Sequence, residues 1–344
     1  MFTKIAELGL PSYRLKQAEK FYYEEFGSDF SKLTTWPKDL RDKLVQEFGA
    51  GLFSETKRLV SKKKDTVKWL LQRTADGQKI ETVLMMHKDG RNTVCVSCMV
   101  GCPVNCSFCA TGKMGFGGNL SADEIVEQVL WAARYLKEQG EGQTVSNVVY
   151  MGMGEPMLNL KNVEESIVIF KDKMGMSERR LTVSTSGYVP QFKKFIDHGF
   201  RTRMAISLHA SNQELRAKLM PVAKIYSLDV LMDALDEYTS ITNKRISYEY
   251  VMLRGVNDSE ENAKELGLLL RNRLAHVNLI PYNAIAEEGF ERSGKNKIQA
   301  FCDVLERNRI HHSVRVTMGD DVNAACGQLA DRENTKNSAR KITI

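Results

Sequence analysis

Residues 93–109 read Thr93-Val-Cys95-Val-Ser-Cys98-Met-Val-Gly-Cys102-Pro-Val-Asn-Cys106-Ser-Phe-Cys109. The segment opens as a short apolar, β-branched run and closes in a cysteine-bearing loop, which predicts a strand over 93–100 followed by a turn. Five of the seven cysteines fall inside it; the others are Cys302 and Cys326. The N-terminus, Met1-Phe-Thr-Lys-Ile-Ala-Glu7, has no apolar signal region, so the chain reads as cytoplasmic. Structural disulfides are rare in that compartment, and cysteines this dense then point to metal or redox chemistry.

Outward from this segment, strand and helix patterns alternate. Further strands are expected at 146–152, 180–184, 203–208, 246–252 and 276–281. Helices are expected at 121–138, 161–173, 188–197, 228–239, 259–272 and 294–308. Such alternation means an α/β fold with a parallel sheet, as a barrel or an open wound sheet. Polar and glycine-rich residues gather where each strand ends: Cys102, then Gly152-Met-Gly154-Glu155-Pro156, Ser184-Thr-Ser-Gly187, Ser207-Leu208-His209, Asn257-Asp258 and Pro281-Tyr-Asn283. In a βα barrel that is the active-site face, and six strand ends in register indicate an enzyme. Residues 1–90 read differently. Helical patterns are followed by a hairpin with strands 67–74 and 79–86 around Asp76-Gly77. The expected organisation is an accessory, RNA-binding unit at 1–90, a catalytic barrel at 91–310 and a C-terminal segment at 311–344.

Composition narrows the class. With 344 residues, 42% apolar and 27% charged, the chain is long enough for a large core and is not generally disordered. No apolar run approaches the ~18 residues of a membrane span. The net charge of +6 is carried by the ends: residues 1–64 hold 13 Lys/Arg against 9 Asp/Glu, and residues 327–344 hold 4 against 2. A neutral body with basic ends suits a polyanionic partner, with simple solvation of two exposed ends as the alternative.

The spacing Cys102-x3-Cys106-x2-Cys109 places three thiolates on one loop, enough for three corners of an iron–sulfur cubane. A structural zinc site closes the metal with four protein ligands; Cys98 would have to be the fourth, and it lies on the strand side with no histidine nearby. Three ligands leave one iron open to a small molecule. A C-x3-C-x2-C loop after the first strand of a βα barrel resembles that of radical S-adenosylmethionine (SAM) enzymes. The resemblance implies a partial (β/α)6 barrel, a [4Fe-4S] cluster on Cys102, Cys106 and Cys109, and SAM on the open iron. It also places Phe108 near the adenine and Gly154-Glu155 at the SAM amino group.

Longer stretches sharpen the resemblance. Cys95-Val-Ser-Cys-Met-Val-Gly-Cys102, Met151-Gly-Met-Gly-Glu-Pro-Met-Leu-Asn159, Ile206-Ser-Leu-His-Ala210 and Gly319-Asp-Asp-Val-Asn-Ala-Ala-Cys-Gly-Gln-Leu329 are together similar to the RlmN/Cfr family of radical SAM RNA adenine methyltransferases. The resemblance implies that Cys326 accepts a methyl group from a first SAM and that a radical generated from a second SAM activates it. The resulting carbon radical adds to adenine, and Glu81 accepts the displaced proton. Cys95 then attacks the Cys326 sulfur, releasing methylated RNA and leaving a Cys95–Cys326 disulfide. Ser184, Ser207, Leu208, His209 and Asn283 match SAM-binding positions. Gly154-Glu-Pro-Met-Leu-Asn159 resembles the RlmN branch, implying methylation at C2 of a 23S rRNA adenosine in the peptidyl transferase centre, with the adenosine 3′ of a tRNA anticodon as a second target. Cfr-type enzymes methylate C8. An external electron donor is implied. Phosphate contacts are expected from Lys57, Arg58, Lys62, Lys63 and Lys64, and from Lys336, Arg340 and Lys341 in the tail. Cys98 departs from the serine common there. Two other readings stay open at this level: a radical SAM enzyme acting on a small molecule, and a zinc-bearing RNA-binding protein.

Overall fold

The computed structural model describes residues 5, 7–49, 51–140, 143–283, 289–316 and 318–329; its N-terminal part includes helices α1 (Ser12–Glu19) and α2 (Lys38–Phe48). Strands β1 (Phe53–Val60), β2 (Thr66–Arg73) and β3 (Lys79–Met86) follow as an antiparallel meander. β1 is not among the expected strands, because its charges read as a basic stretch leading into the hairpin. It is an edge strand, exposed over most of its length and bulged between Glu55 and Lys57, so it has no apolar alternation to read. β3 pairs antiparallel with β4 (Asn92–Cys95), so the meander and the following strands share one sheet.

The strand expected over 93–100 is broken. β4 stops at Cys95, and β5 (Met99–Gly101) pairs instead with β6 (Phe116–Asn119) in a separate two-stranded ribbon. Ser97 makes the break: its N–H donates to Gln128 Oε1 (2.8 Å) and its hydroxyl to the Glu81 carbonyl (2.6 Å), taking the chain out of the ladder. Between β5 and β6 lies the short helix α3 (Ala110–Lys113).

The βα alternation then runs as expected, with one added helix, Gln213–Leu219, and one added strand, His312–Val314. Helix α4 (Ala122–Gln139) precedes β7 (Asn147–Tyr150), and α5 (Leu160–Asp172) precedes β8 (Leu181–Thr185). Helix α6 (Val189–Asp197) precedes β9 (Arg203–Ser207), after which come α7 (Gln213–Leu219), α8 (Leu228–Thr242) and β10 (Ile246–Met252). The series closes with α9 (Glu260–Leu269), β11 (Ala275–Pro281), α10 (Lys295–Arg307) and β12 (His312–Val314). α4 starts on a reciprocal cap: Ser121 Oγ accepts from the Glu124 N–H, and Glu124 accepts from the Ser121 N–H.

The ten-stranded sheet has the order β1-β2-β3-β4-β7-β8-β9-β10-β11-β12, with every pair from β4 to β12 parallel. Strand order follows chain order without a reversal point. This is the wall of a partial barrel rather than a doubly wound sheet, whose order reverses midway. Cys302 is buried on α10 among core residues, as its sequence neighbours imply.

Candidate active site

The loop after β5 carries Cys102, Cys106 and Cys109, and all three line one cavity at the C-terminal end of the barrel strands. Asn105 turns the loop with φ +53°, and the Cys102 N–H is held by the Gly115 carbonyl at 2.8 Å. Burial pushes all three thiols up, so as free side chains they are neutral. Binding to iron supplies the reason for three half-buried cysteines on one loop at one cavity, since a coordinating thiol loses its proton to the metal. Among the described residues no three His, Cys, Asp or Glu side chains converge to hold a single ion. A cubane needs no such convergence, because each thiolate binds a different iron. The loop therefore fits an iron–sulfur cluster better than zinc.

Polar groups from successive strands face the loop. Gly154 has φ +107°, and a Cβ there would stand 2.7 Å from Met99 Cβ and 2.9 Å from Cys98 Sγ, so the turn before Glu155 requires glycine. Glu155 is buried; its Oε2 accepts from the Ser186 N–H (2.7 Å) and hydroxyl (2.6 Å), and its Oε1 from the Met157 N–H (3.0 Å). Burial raises its carboxyl pKa, and these hydrogen bonds oppose the rise. Ser184, Ser207, His209 and Phe108 line the same cavity. His209 sits at φ +57° with Nδ1 accepting from the Val251 N–H (3.0 Å), which leaves the other nitrogen to carry the ring proton. Burial, reinforced by Arg216, lowers its pKa to about 3, so the ring is neutral. It meets Phe108 edge to face at 4.6 Å. Leu208 is fully buried, with its N–H on the Glu249 carbonyl (3.0 Å).

Cys326 lines this cavity and also an adjoining one, walled by Cys95, Met85, His87 and Asn283. Its segment is fastened to the cysteine loop. The Ala110 N–H donates to the Gly327 carbonyl (2.8 Å), Thr111 Oγ1 to the Leu329 carbonyl (2.6 Å), and Asn283 Nδ2 to the Cys326 carbonyl (3.4 Å). Burial pushes the Cys95 thiol up to about 12, with Cys326 adding to the rise and Arg315 opposing it. Arg315 has no motif around it in the sequence, yet it lines both cavities and hydrogen-bonds to Cys326; the Cys326 sulfur is the chief cause that raises its pKa. Cys98 is buried, which pushes its thiol up, and the neighbours that add to the rise are Glu155 and Cys102 rather than Cys326.

Glu81 lines neither cavity. It lies on the same face of the sheet as Cys95, because Val83 pairs opposite Cys95 and side chains two apart share a face. Its Oε1 is 2.8 Å from Lys68 Nζ, and Lys68 also donates to the Asn323 carbonyl at 2.9 Å. Lys68 is likewise silent in the sequence: a lysine in a β2 run of Val67, Trp69 and Leu71 gives no local sign of burial. Lys62 and Lys63 line an outer cleft with Asp320, Asn323, Tyr282 and Asn283. Lys57 and Arg58 lie on the exposed edge strand β1. Lys336, Arg340 and Lys341 lie outside the described residues.

Loop, glycine turn and strand-end groups are those of the radical SAM class, and the Radical SAM superfamily pattern matches residues 96–267. That class carries a [4Fe-4S] cluster and uses SAM. A probable dual-specificity RNA methyltransferase RlmN of Lachnoclostridium phytofermentans is 41% identical over 339 residues, covering 98% of this chain and 93% of the relative. Another of that name, from Rippkaea orientalis, is 43% identical over 325 residues, covering 94% and 93%. The crystal structure of a radical SAM methyltransferase from Sphaerobacter thermophilus superposes with a TM-score of 0.91 at 42% identity, covering 95% of this chain and 96% of that one. The chain belongs to the RlmN family of radical SAM RNA methyltransferases. Among the described residues no helix is long and apolar enough to cross a membrane.

Proposed function

We propose that this enzyme methylates C2 of an adenosine in 23S rRNA at the peptidyl transferase centre, and the adenosine 3′ of the anticodon in tRNA, with Cys326 as methyl carrier and Cys95 as resolving thiol. The observation that carries this reading is the position of Cys326 in the wall shared by two cavities, one lined by Cys102, Cys106 and Cys109, the other by Cys95. A sulfur so placed can be loaded from one side and relieved from the other.

When bound, the cluster and SAM supply the methyl group and the radical that activates it. The chain's own residues do the rest. Cys102, Cys106 and Cys109 hold the cluster. Gly154, Glu155, Ser184, Ser207, His209 and Phe108 line the SAM pocket, while Leu208 is buried outside its lining and Asn283 lines the adjoining cavity. Arg315 holds a positive charge against the Cys326 sulfur. After the carbon–carbon bond has formed, Glu81 takes the ring proton; it must exchange its Lys68 contact for the substrate to do so. The Cys95 thiolate then attacks the Cys326 sulfur: the sulfur–sulfur bond forms as the sulfur–carbon bond breaks, the released carbon keeps that electron pair and takes a proton to complete the methyl group, and an external reductant restores the thiols.

The RNA approaches over the cleft rimmed by Lys62 and Lys63, with residues 1–90 as the RNA-binding accessory unit. The target base leaves its stack at a cost of a few kcal/mol, offset by phosphate contacts. The assignment to C2 rests on the likeness of Gly154–Asn159 to the RlmN branch. It is tested by nucleoside mass spectrometry of rRNA and tRNA treated with anaerobically reconstituted enzyme, SAM and a reductant. 2-Methyladenosine is expected in both. A dominant 8-methyladenosine product would transfer the protein to Cfr-type chemistry, and product in rRNA alone would remove the tRNA target.

A further inference from the structure

Among the described residues, Arg216 is the only arginine in the set of largest fully buried side chains, with 0% exposure. It projects from α7, whose first turn is capped by Asn212. The last turn of α7 is tied to the cysteine loop: the Leu219 carbonyl accepts from the Ser107 N–H (3.0 Å) and the Ser107 hydroxyl (3.3 Å), and Ser107 stands between Cys106 and Phe108. The guanidinium reaches across to the ends of two barrel strands. Its Nη2 donates to the Ser186 carbonyl (2.6 Å) and the Ser207 carbonyl (3.4 Å). Nε and Nη1 have no hydrogen-bond partner among the described residues. Two carbonyl oxygens do not neutralise a buried cation, and no carboxylate of the described residues acts on it. The acidic group that does is Cys106, and the interaction is reciprocal. Burial pulls the guanidinium down to about 10.

A fully buried guanidinium with two empty donors and no carboxylate is costly to keep unless an anion offsets it. The three cysteines of the adjacent loop provide that anion once they hold the cluster. We propose that Arg216 is the buried countercharge of the cluster site, stabilising the bound cluster and favouring its reduced, more negative form. Arg216 does not line the cavity that takes SAM, so it acts by charge from behind the loop rather than by touching substrate. A nearby cation stabilises the electron-rich state, so its presence raises the reduction potential and its loss lowers it. The inference rests on Cys102, Cys106 and Cys109 being the cluster ligands.

The test compares wild type with Arg216→Lys, which keeps the charge, and Arg216→Gln, which keeps a donor but not the charge. Loss of bound iron in Cys106→Ala checks the ligand assignment separately; retention of a full cluster there would defeat that assignment and not the role of Arg216. Potentiometric titration followed by electron paramagnetic resonance, without SAM, should place the Arg216→Gln cluster at a more negative potential and leave Arg216→Lys near wild type. Equal shifts in both variants, or no shift in Arg216→Gln, would overturn the proposal. Melting temperatures give a second, independent sign. Without the cluster, Arg216→Gln should be at least as stable as wild type, since an uncompensated charge has been removed. Cluster loading should raise its melting temperature less than it raises that of wild type. If Arg216→Gln fails to fold without the cluster, or is destabilised equally with and without it, Arg216 is a structural anchor and the proposal fails.

Discussion

Cys95 and Cys98 are three residues apart in sequence but have different neighbours: Cys326 acts on the first, Glu155 and Cys102 on the second. The break in the strand at Ser97 separates them. On the proposed roles, Cys95→Ala accumulates a covalent RNA adduct through Cys326, visible with labelled RNA on denaturing gels. Cys98→Ala turns over like wild type, and the double variant traps no more adduct than Cys95→Ala alone. If Cys98 substitutes for Cys95, the single variant releases RNA and only the double variant traps it. The Cys95 thiol is pushed up to about 12, and the nucleophile is the thiolate. Its fraction rises about tenfold per pH unit below that value, so adduct resolution in a single turnover should accelerate from pH 7 to pH 9.

Strands β2 and β3 act on the Cys326 segment through one ion pair. Lys68 on β2 joins the Glu81 carboxylate on β3 to the Asn323 carbonyl, three residues before Cys326, and both side chains are under a tenth exposed. Lys68→Met breaks a buried pair, with an expected cost of about 3–5 kcal/mol. Denaturant unfolding should show that loss, and amide hydrogen exchange should rise over residues 319–329. The double variant Lys68→Met, Glu81→Gln should recover part of the stability, because no buried carboxylate is then left facing a missing ammonium. Unchanged exchange over that segment in Lys68→Met would mean that the Asn323 contact does not hold it.

For the molecule as a whole, charge and shape meet at one cleft. The basic turn between β1 and β2 brings Lys62 and Lys63 beside Asp320 and Asn323 of the Cys326 segment, and the Lys62 N–H is fixed to Asp321 Oδ2 at 2.8 Å. On the proposed approach of RNA over this cleft, phosphate contacts here would add affinity without choosing sequence. Lys62→Ala with Lys63→Ala should weaken RNA binding and flatten the log–log salt dependence by about 1.4–1.8, or about 0.7–0.9 for each phosphate no longer neutralised. Filter binding at several salt concentrations measures it. An unchanged slope would place the RNA backbone elsewhere.

Local pattern was enough for what local physics encodes. Five of the six expected strands and their helices follow from hydrophobic periodicity, as does the start of the sixth at 93–95, and the cysteine loop follows from its spacing. The strand-end residues follow from their position after each apolar run. Each is a property of neighbours a few residues apart. Family likeness added Cys326, which no local signal distinguishes from a buried small side chain. What required the folded chain is the set of charges buried by partners distant in sequence. Arg216 looks like any helix arginine until Ser186, Ser207 and Cys106 surround it, and Lys68 and Arg315 become site residues only when the segment around 320–329 closes over the barrel. Ser97 breaks its strand because Gln128 and Glu81 draw its hydrogen bonds away from the ladder, and β1 is held by pairing at an edge rather than by an apolar face. Burial and charge compensation depend on what the rest of the chain brings near, so tertiary structure decides them.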